Sequence, residues 1–243
     1  EFLSNIAVDT MASSMSKSTT GGLFQGGTNT SRFFPLRFFF CENYQSAIPL
    51  VALQYHDVEI RITWGPNASD SSRRWECYSN YIHLDTLERQ DIASRPHSML
   101  ITQVQHAVPS GSTVQELNFN HPVKFIASSN NATLNSGLAS FTNKIKLQIN
   151  GTDVTDYKFS APHYTSVSSY YNTPFSASND QRLFIYPFCL DTSKHQPTGS
   201  LNFSRLDSAR IMSQTASITS HIYAVNYNIL RIENGMAGIA YAN

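Results

Sequence analysis

One stretch of the chain is written twice, and the duplication limits what the rest can fold into. Residues 32–62, RFFPLRFFFCENYQSAIPLVALQYHDVEIRI, return in altered form at 182–211 as RLFIYPFCLDTSKHQPTGSLNFSRLDSARI. In each copy an aromatic run reaches a cysteine (Cys41, Cys189) and a proline follows (Pro49, Pro197). Asp57, Arg61 and Ile62 close the first copy, and Asp207, Arg210 and Ile211 the second. Aromatic residues favour extended, half-buried backbone, and polar residues around a proline favour a surface loop, so each copy predicts strand, loop, strand. Phe38, Phe39 and Phe40 are the expected core of the first copy, with Tyr186 and Phe188 in the second; a contact between barrels is the other reading of these rings. Val58, Ile60 and Ile62 alternate with Asp57, Glu59 and Arg61, the period of a strand with one buried face. Two such units predict two related all-β domains.

Composition agrees with a sheet-and-loop protein. The chain has 243 residues, 41% of them hydrophobic, enough for one large core or two smaller ones without staples. Only 14% are charged, and 17 basic residues balance 17 acidic ones, so neither a nucleic-acid surface nor an anionic membrane is an expected partner. Cys41, Cys77 and Cys189 are too few and too scattered for a disulfide framework or a zinc site; Cys41 and Cys189 sit in apolar runs and are expected as reduced core thiols. No apolar run approaches the roughly 20 residues that span a bilayer.

Along the chain, residues 1–31 alternate weak apolar patches with Ser, Thr and Gly and predict an extended arm. Residues 75–84, WECYSNYIHL, are a third strand candidate. Residues 85–95 are a short helix or a linker, ended by Pro96, and mark the expected domain boundary. Strands follow at 100–107, 115–119 and 123–128. Lys144, Lys146 and Gln148 alternate with Ile145, Leu147 and Ile149 ahead of an Asn150-Gly151 hairpin turn. Residues 157–171 are a long loop or an irregular strand pair. Residues 217–232 are a long strand bent near Asn226, and 236–243 a short final strand in which Met236, Ile239 and Tyr241 pack against the body. The second copy has positions 97–181 ahead of it, room for several strands, whereas the first has only residues 1–31. Two sandwiches built alike would leave the first with open sheet edges, so the native chain is expected to extend well beyond Glu1.

Residues 36–62, YIHLDTLER at 81–89, LNFNHPVKF at 117–125, QPTGSLNFSRLDSARI at 196–211 and YAVNYNILRIENGMAGIAYAN at 223–243 together carry a resemblance. In order and wording they resemble the major capsid proteins of large icosahedral double-stranded DNA viruses, nearest the algal-virus branch. The resemblance implies an all-β fold of tandem jelly-roll sandwiches, the first incomplete at its amino end in this sequence. Residues 1–84 would hold the last part of the first jelly roll, 85–96 a linker and 97–243 the second. It also implies a homotrimer forming a capsomer of nearly six-fold outline, in contact with neighbouring capsomers and with minor capsid proteins beneath the shell. The chain would then lie in the virion, assembled in the cytoplasm of the infected cell.

Chemical motifs give little to an enzyme. His56, His83, His97, His106, His121, His163, His195 and His221 occur singly, with no HxH or HxxxH spacing. Asp57 and Glu59 share a strand face without an identified partner, and neither a nucleophile elbow nor a phosphate loop occurs. No catalytic residue, cofactor or metal is expected. Asn29, Asn67, Asn131, Asn150 and Asn202 stand in Asn-X-Ser/Thr patterns; Asn67 and Asn131 fall in the most turn-rich loops. The runner-up function is a jelly-roll carbohydrate-binding or host-attachment module, for which polar, Tyr-rich loops would supply a glycan contact.

Overall fold

A computed structural model describes residues 23–24, 32–33, 36, 38–41, 43–64, 75–129, 137–173 and 183–242. The first two strands, β1 (Leu23–Phe24) and β2 (Arg32–Phe33), form a small antiparallel ribbon. Short 3-10 turns follow at Phe39–Cys41, Tyr44–Ser46 and Leu50–Ala52. Helix α1 (Thr86–Ser94) settles the choice left open by the sequence: Glu88 accepts a 3.1 Å bond from the Asp85 backbone N–H, closing the first turn, and Pro96 stops the helix.

From His97 onward the chain builds a sandwich. Its strands are β3 (His97–Ala107), β4 (Val114–Glu116), β5 (Pro122–Ser129), β6 (Lys144–Ile149), β7 (Thr152–Asp153) and β8 (Lys158–Phe159). After helix α2 (Ser168–Asn172) come β9 (Leu183–Pro187), β10 (Leu201–Asn202), β11 (Ala209–Ser213), β12 (Ile222–Glu233) and β13 (Met236–Ile239). One sheet runs β3-β12-β5-β9, with β10 continuing beside β5 and β13 beside β12; the other runs β4-β11-β6-β8, with β7 beside β6. Every pairing is antiparallel. If β3, β4, β5, β6, β8, β9, β11 and β12 are counted in chain order, the sheets read 1-8-3-6 and 2-7-4-5, two interlocked Greek keys closing a jelly roll.

Alternation fills the space between the sheets. Val123, Ile126, Phe184, Ile222 and Ala224 face inward from one sheet, Ile145, Leu147 and Ile211 from the other, and Leu138 and Ile218 close the ends. On β6 the lysines face out while Ile145 and Leu147 are buried, as the period of two requires. Asn150 and Gly151 both take positive φ (48° and 77°), the conformation that joins β6 to β7 in a tight hairpin. The register between β12 and β5 shifts between Val225 and Asn226, where β5 carries one extra residue, Lys124; β12 itself keeps continuous register with β3 from Ile222 to Ile232, in place of the expected bend near Asn226.

Beyond that shift the inner face of β12 turns polar, and its amides are bonded, since a buried amide without a partner is costly. Gln105 Nε2 donates to Asn226 Oδ1 (2.9 Å) and to the Asn120 carbonyl (2.8 Å), and the Asn120 N–H returns a bond to Gln105 Oε1 (3.0 Å). Asn228 Nδ2 donates to Gln103 Oε1 (3.0 Å) and to the Tyr241 carbonyl (2.9 Å), which fixes the end of the chain.

Several expectations from the sequence are corrected. Residues 57–64 and 75–84 lie outside any helix and pair with no strand among the described residues. Val58, Ile60 and Ile62 are 42–48% exposed instead of forming a core. Alternation specifies two faces, but a strand also needs a neighbour for its N–H and C=O groups, and none of the described residues supplies one. Phe38 is exposed, and Phe39 and Phe40 are half-buried at a 3-10 turn, where Phe40 stacks on Phe38 and meets Phe39 edge-on instead of entering a sheet. Cys41 is an exposed thiol, unlike the buried Cys189. Residues Ser160–Val167 form a wide helical segment, kinked at Ala161, that runs into α2; the sequence suggested a loop or strands. Here Tyr164, Thr165 and Ser168 turn inward and Tyr170 and Tyr171 outward, a helical spacing masked by the scattered serines.

Candidate assembly surface

The described residues carry three surface features that could meet another molecule. The first is a set of exposed apolar side chains at 58–64 and 75–82. Val58, Ile60, Ile62, Trp64, Trp75 and Ile82 are all exposed, and the indoles of Trp64 and Trp75 contact each other with centroids 4.2 Å apart. Among these side chains the exposed Glu59 and Arg61 pair with each other (2.9 Å). So much exposed hydrocarbon in one stretch is the mark of a face that is covered in use.

The second is a clasp between the first part of the chain and the final hairpin. The Tyr55 N–H donates to the Gly235 carbonyl (3.0 Å), and the Ala237 N–H donates to His56 Nδ1 (3.1 Å). Gly235 holds φ at +79°, and a Cβ there would stand 2.6 Å from the Tyr55 ring, so only glycine lets the two segments approach. β13 adds its backbone to β12, while Met236, Ile239 and Tyr241 leave their side chains exposed. The tail therefore joins the sheet through hydrogen bonds and presents its apolar groups outward.

The third is an aromatic cleft of about 530 Å³ between the helical segment 160–172 and the chain after β9, lined by Tyr164, Tyr171, Tyr186 and Phe188 with His163 and Leu190 at its margins. Tyr164 stacks on Tyr186 (5.5 Å, 23°), Tyr186 meets Phe188 (5.2 Å), and Phe188 meets Phe203 (5.8 Å). Tyr186 and Phe188 thus pack against the main core as half-buried rings. Burial first, and then the neighbouring Tyr164, push the Tyr186 hydroxyl up to about 12. Because the folded chain keeps this proton longer than the unfolded chain, its contribution to stability is full below pH 10 and is lost between pH 10 and about 12. An alkaline denaturation series should show that loss, and Tyr186→Phe should remove it; an unchanged alkaline limb in the variant would contradict the assignment.

Lys124, buried in β5, donates to the Lys194 carbonyl (2.8 Å) and lies 5.6 Å over the Tyr227 ring, anchoring the loop after Cys189. Of the Asn-X-Ser/Thr positions, Asn29, Asn67 and Asn131 lie outside the described residues. Asn150 is exposed, its Oδ1 accepting from the Asp207 and Ser208 N–H groups (2.9 and 3.1 Å). Asn202 is half-buried, and its Oδ1 accepts from the Ser204 N–H. Among the described residues no group of three or more His, Cys, Asp and Glu side chains converges as a metal site would. Sequence spacing gave no sign of the cleft, whose walls come from residues far apart in the chain, nor of the approach of His106 to His221.

Comparison with known proteins places this architecture. The family described as "Large eukaryotic DNA virus major capsid protein" matches residues 126–238, and "Major capsid protein N-terminus" matches residues 24–91. The major capsid protein of Pyramimonas orientalis virus is 35% identical over 90% of this chain and 63% of its own length. That of Paramecium bursaria Chlorella virus 1 (PBCV-1) is 30% identical over 89% of this chain and 68% of its own. The chain belongs to the major capsid protein family of large eukaryotic DNA viruses.

A solved structure of the PBCV-1 capsid superposes with a TM-score of 0.62 at 28% identity, covering 86% of this chain and 70% of the other. The mostly-β architecture thus matches the double jelly-roll fold of PBCV-1-like major capsid proteins. The chain spans about 63% of the length of the Pyramimonas virus protein. The N-terminal match ends within α1, and the other begins in β5. The first copy of the duplicated stretch lies within the N-terminal match, and the second within the match to the major capsid protein family.

Proposed function

We propose that this chain is a structural subunit of an icosahedral viral shell, acting as a homotrimeric capsomer of nearly six-fold outline within the virion. The observation that carries the reading is the eight-strand sandwich of 1-8-3-6 and 2-7-4-5 order in a chain 28% identical to the PBCV-1 capsid structure. In this reading residues 1–84 belong to a first jelly roll, 85–96 link the two, and 97–243 are the second. A threefold ring needs heterologous contacts that close, and obligate contacts usually bury more than about 2,000 Å². The exposed apolar side chains at 58–64 and 75–82 and the outward Met236, Ile239 and Tyr241 supply hydrocarbon suited to contacts of that kind. Neighbouring capsomers and minor capsid proteins beneath the shell would take the remaining flanks, and assembly would take place in the cytoplasm of the infected cell.

The aromatic cleft favours a second reading, a glycan-contacting or host-attachment module, since stacked rings beside hydroxyls suit a sugar's apolar face and its rim. Asn150 is the exposed candidate for glycan attachment among the described residues, in place of the half-buried Asn202. Native mass spectrometry of the full-length protein from virions separates these readings. A trimer is expected, with any glycan on Asn150 read from the intact mass; a monomer that binds oligosaccharide saturably would overturn the shell assignment.

A further inference from the structure

The histidines show no metal spacing in the sequence, yet the fold brings two of them together. His106 lies near the end of β3, and its partner across the ladder is Tyr223 on β12. His221 precedes β12 by one residue and stands two positions before Tyr223, so it shares that residue's face and sits diagonally opposite His106. The two imidazole centroids are 6.1 Å apart, and the Tyr223 ring is 6.3 Å from one and 6.4 Å from the other. Three rings thus surround one point on the outer face of the sheet, where both histidines are open to solvent.

The spacing has a chemical meaning. A zinc ion bonds an imidazole nitrogen at roughly 2.0–2.1 Å, which puts it about 3.2 Å from the ring centroid, so two rings on one tetrahedral ion stand about 5.2 Å apart. The observed 6.1 Å is about 1 Å wider, a gap that small side-chain rotations of these two exposed rings close. The backbone under His221 is also held: the buried Ser128 hydroxyl donates to the His221 carbonyl at 2.8 Å. Just before it, the Ile218 N–H donates to the Ser112 carbonyl (2.8 Å) and the Ile218 carbonyl accepts from Gly111 (3.1 Å). A fixed backbone keeps the pair from drifting apart, so less ordering is left for an ion to impose.

We propose that His106 and His221 form a two-imidazole site for a borderline transition-metal cation of the zinc, copper(II) or nickel class, with water in the remaining positions and the Tyr223 ring as one wall. Neutral imidazoles without a carboxylate select these ions over calcium or magnesium, which take oxygen ligands. The ion would tie β3, at the edge of its sheet, to the central strand β12.

Zinc titration of the full chain by calorimetry tests this, in a Cys41→Ser, Cys77→Ser background because both exposed thiols would take zinc themselves. One saturable site is expected at pH 7.5. Its Kd should rise at least tenfold in His106→Ala and in His221→Ala, and stay unchanged in His83→Ala. Zinc should raise the melting temperature of the parent and of neither single variant, both of which, as surface changes, should keep the parent's metal-free melting temperature. Absence of a saturable site in the parent, or loss of binding in only one of the two variants or in neither, would overturn the proposal.

Discussion

Phe184→Ala is expected to destabilise the sandwich by about 3–5 kcal/mol, the range for deleting a large buried ring whose surroundings cannot collapse. Phe184 is fully buried on β9 and joins the core that holds Ile126, Leu138 and Ile222. It also touches Tyr164 (5.1 Å), so the same ring seats the helical segment 160–172 on the sheet. Near 2–4 °C per kcal/mol for a domain of this size, the melting temperature should fall by about 6–20 °C. Phe184→Leu should cost much less because it keeps most of the volume. Urea denaturation of the variants gives the numbers. A loss under about 1 kcal/mol for the alanine variant would mean that the two sheets do not close over this residue.

Asn143→Leu should be nearly as costly, for the opposite chemical reason. Asn143 is fully buried where β6 begins. Its Nδ2 bonds the Ser213 hydroxyl (2.8 Å), and its Oδ1 accepts from the Thr215 N–H (3.2 Å) and the Thr215 hydroxyl (3.1 Å). Its carbonyl accepts from Ser160 (2.9 Å), so one residue joins β6, the turn after β11 and the start of the helical segment. Leucine matches the volume and keeps the backbone bond to Ser160, but answers neither Ser213 nor Thr215. Losing the amide's bonds to the buried Ser213 and to the exposed Thr215 should cost about 2–3 kcal/mol. Asn143→Asp keeps the Oδ1 acceptor and should recover part of the loss at neutral pH. If leucine were tolerated with no change in the denaturation midpoint, the polar hub would not be structural.

The parts of the fold that could be read from the sequence are those where local pattern and tertiary context agree. β6 shows its period of two and Asn150-Gly151 its turn, because each is decided by a few adjacent side chains. Residues 57–64 carry the same kind of pattern and yet have no partner among the described residues, because pairing depends on a neighbour that alternation does not name. The helical segment 160–172 was hidden for another reason: serine and tyrosine are weak helix formers, and here burial of Tyr164 against Phe184 and Tyr186 outweighs propensity. His106 and His221 illustrate the limit most plainly, since strand pairing brings them together and nothing along the chain does. Family resemblance reached further than any of these signals because it drew on many segments in one order.

The most direct test is a side-chain-resolution cryo-EM map of assembled particles containing the full-length protein. The shell assignment requires three copies around each local threefold axis, β3-β12-β5-β9 and β4-β11-β6-β8 upright in the shell, and Val58, Ile60 and Ile62 covered by contacts within the assembly. A map with one sandwich per copy, no threefold contacts, and 57–84 bare to solvent would contradict it.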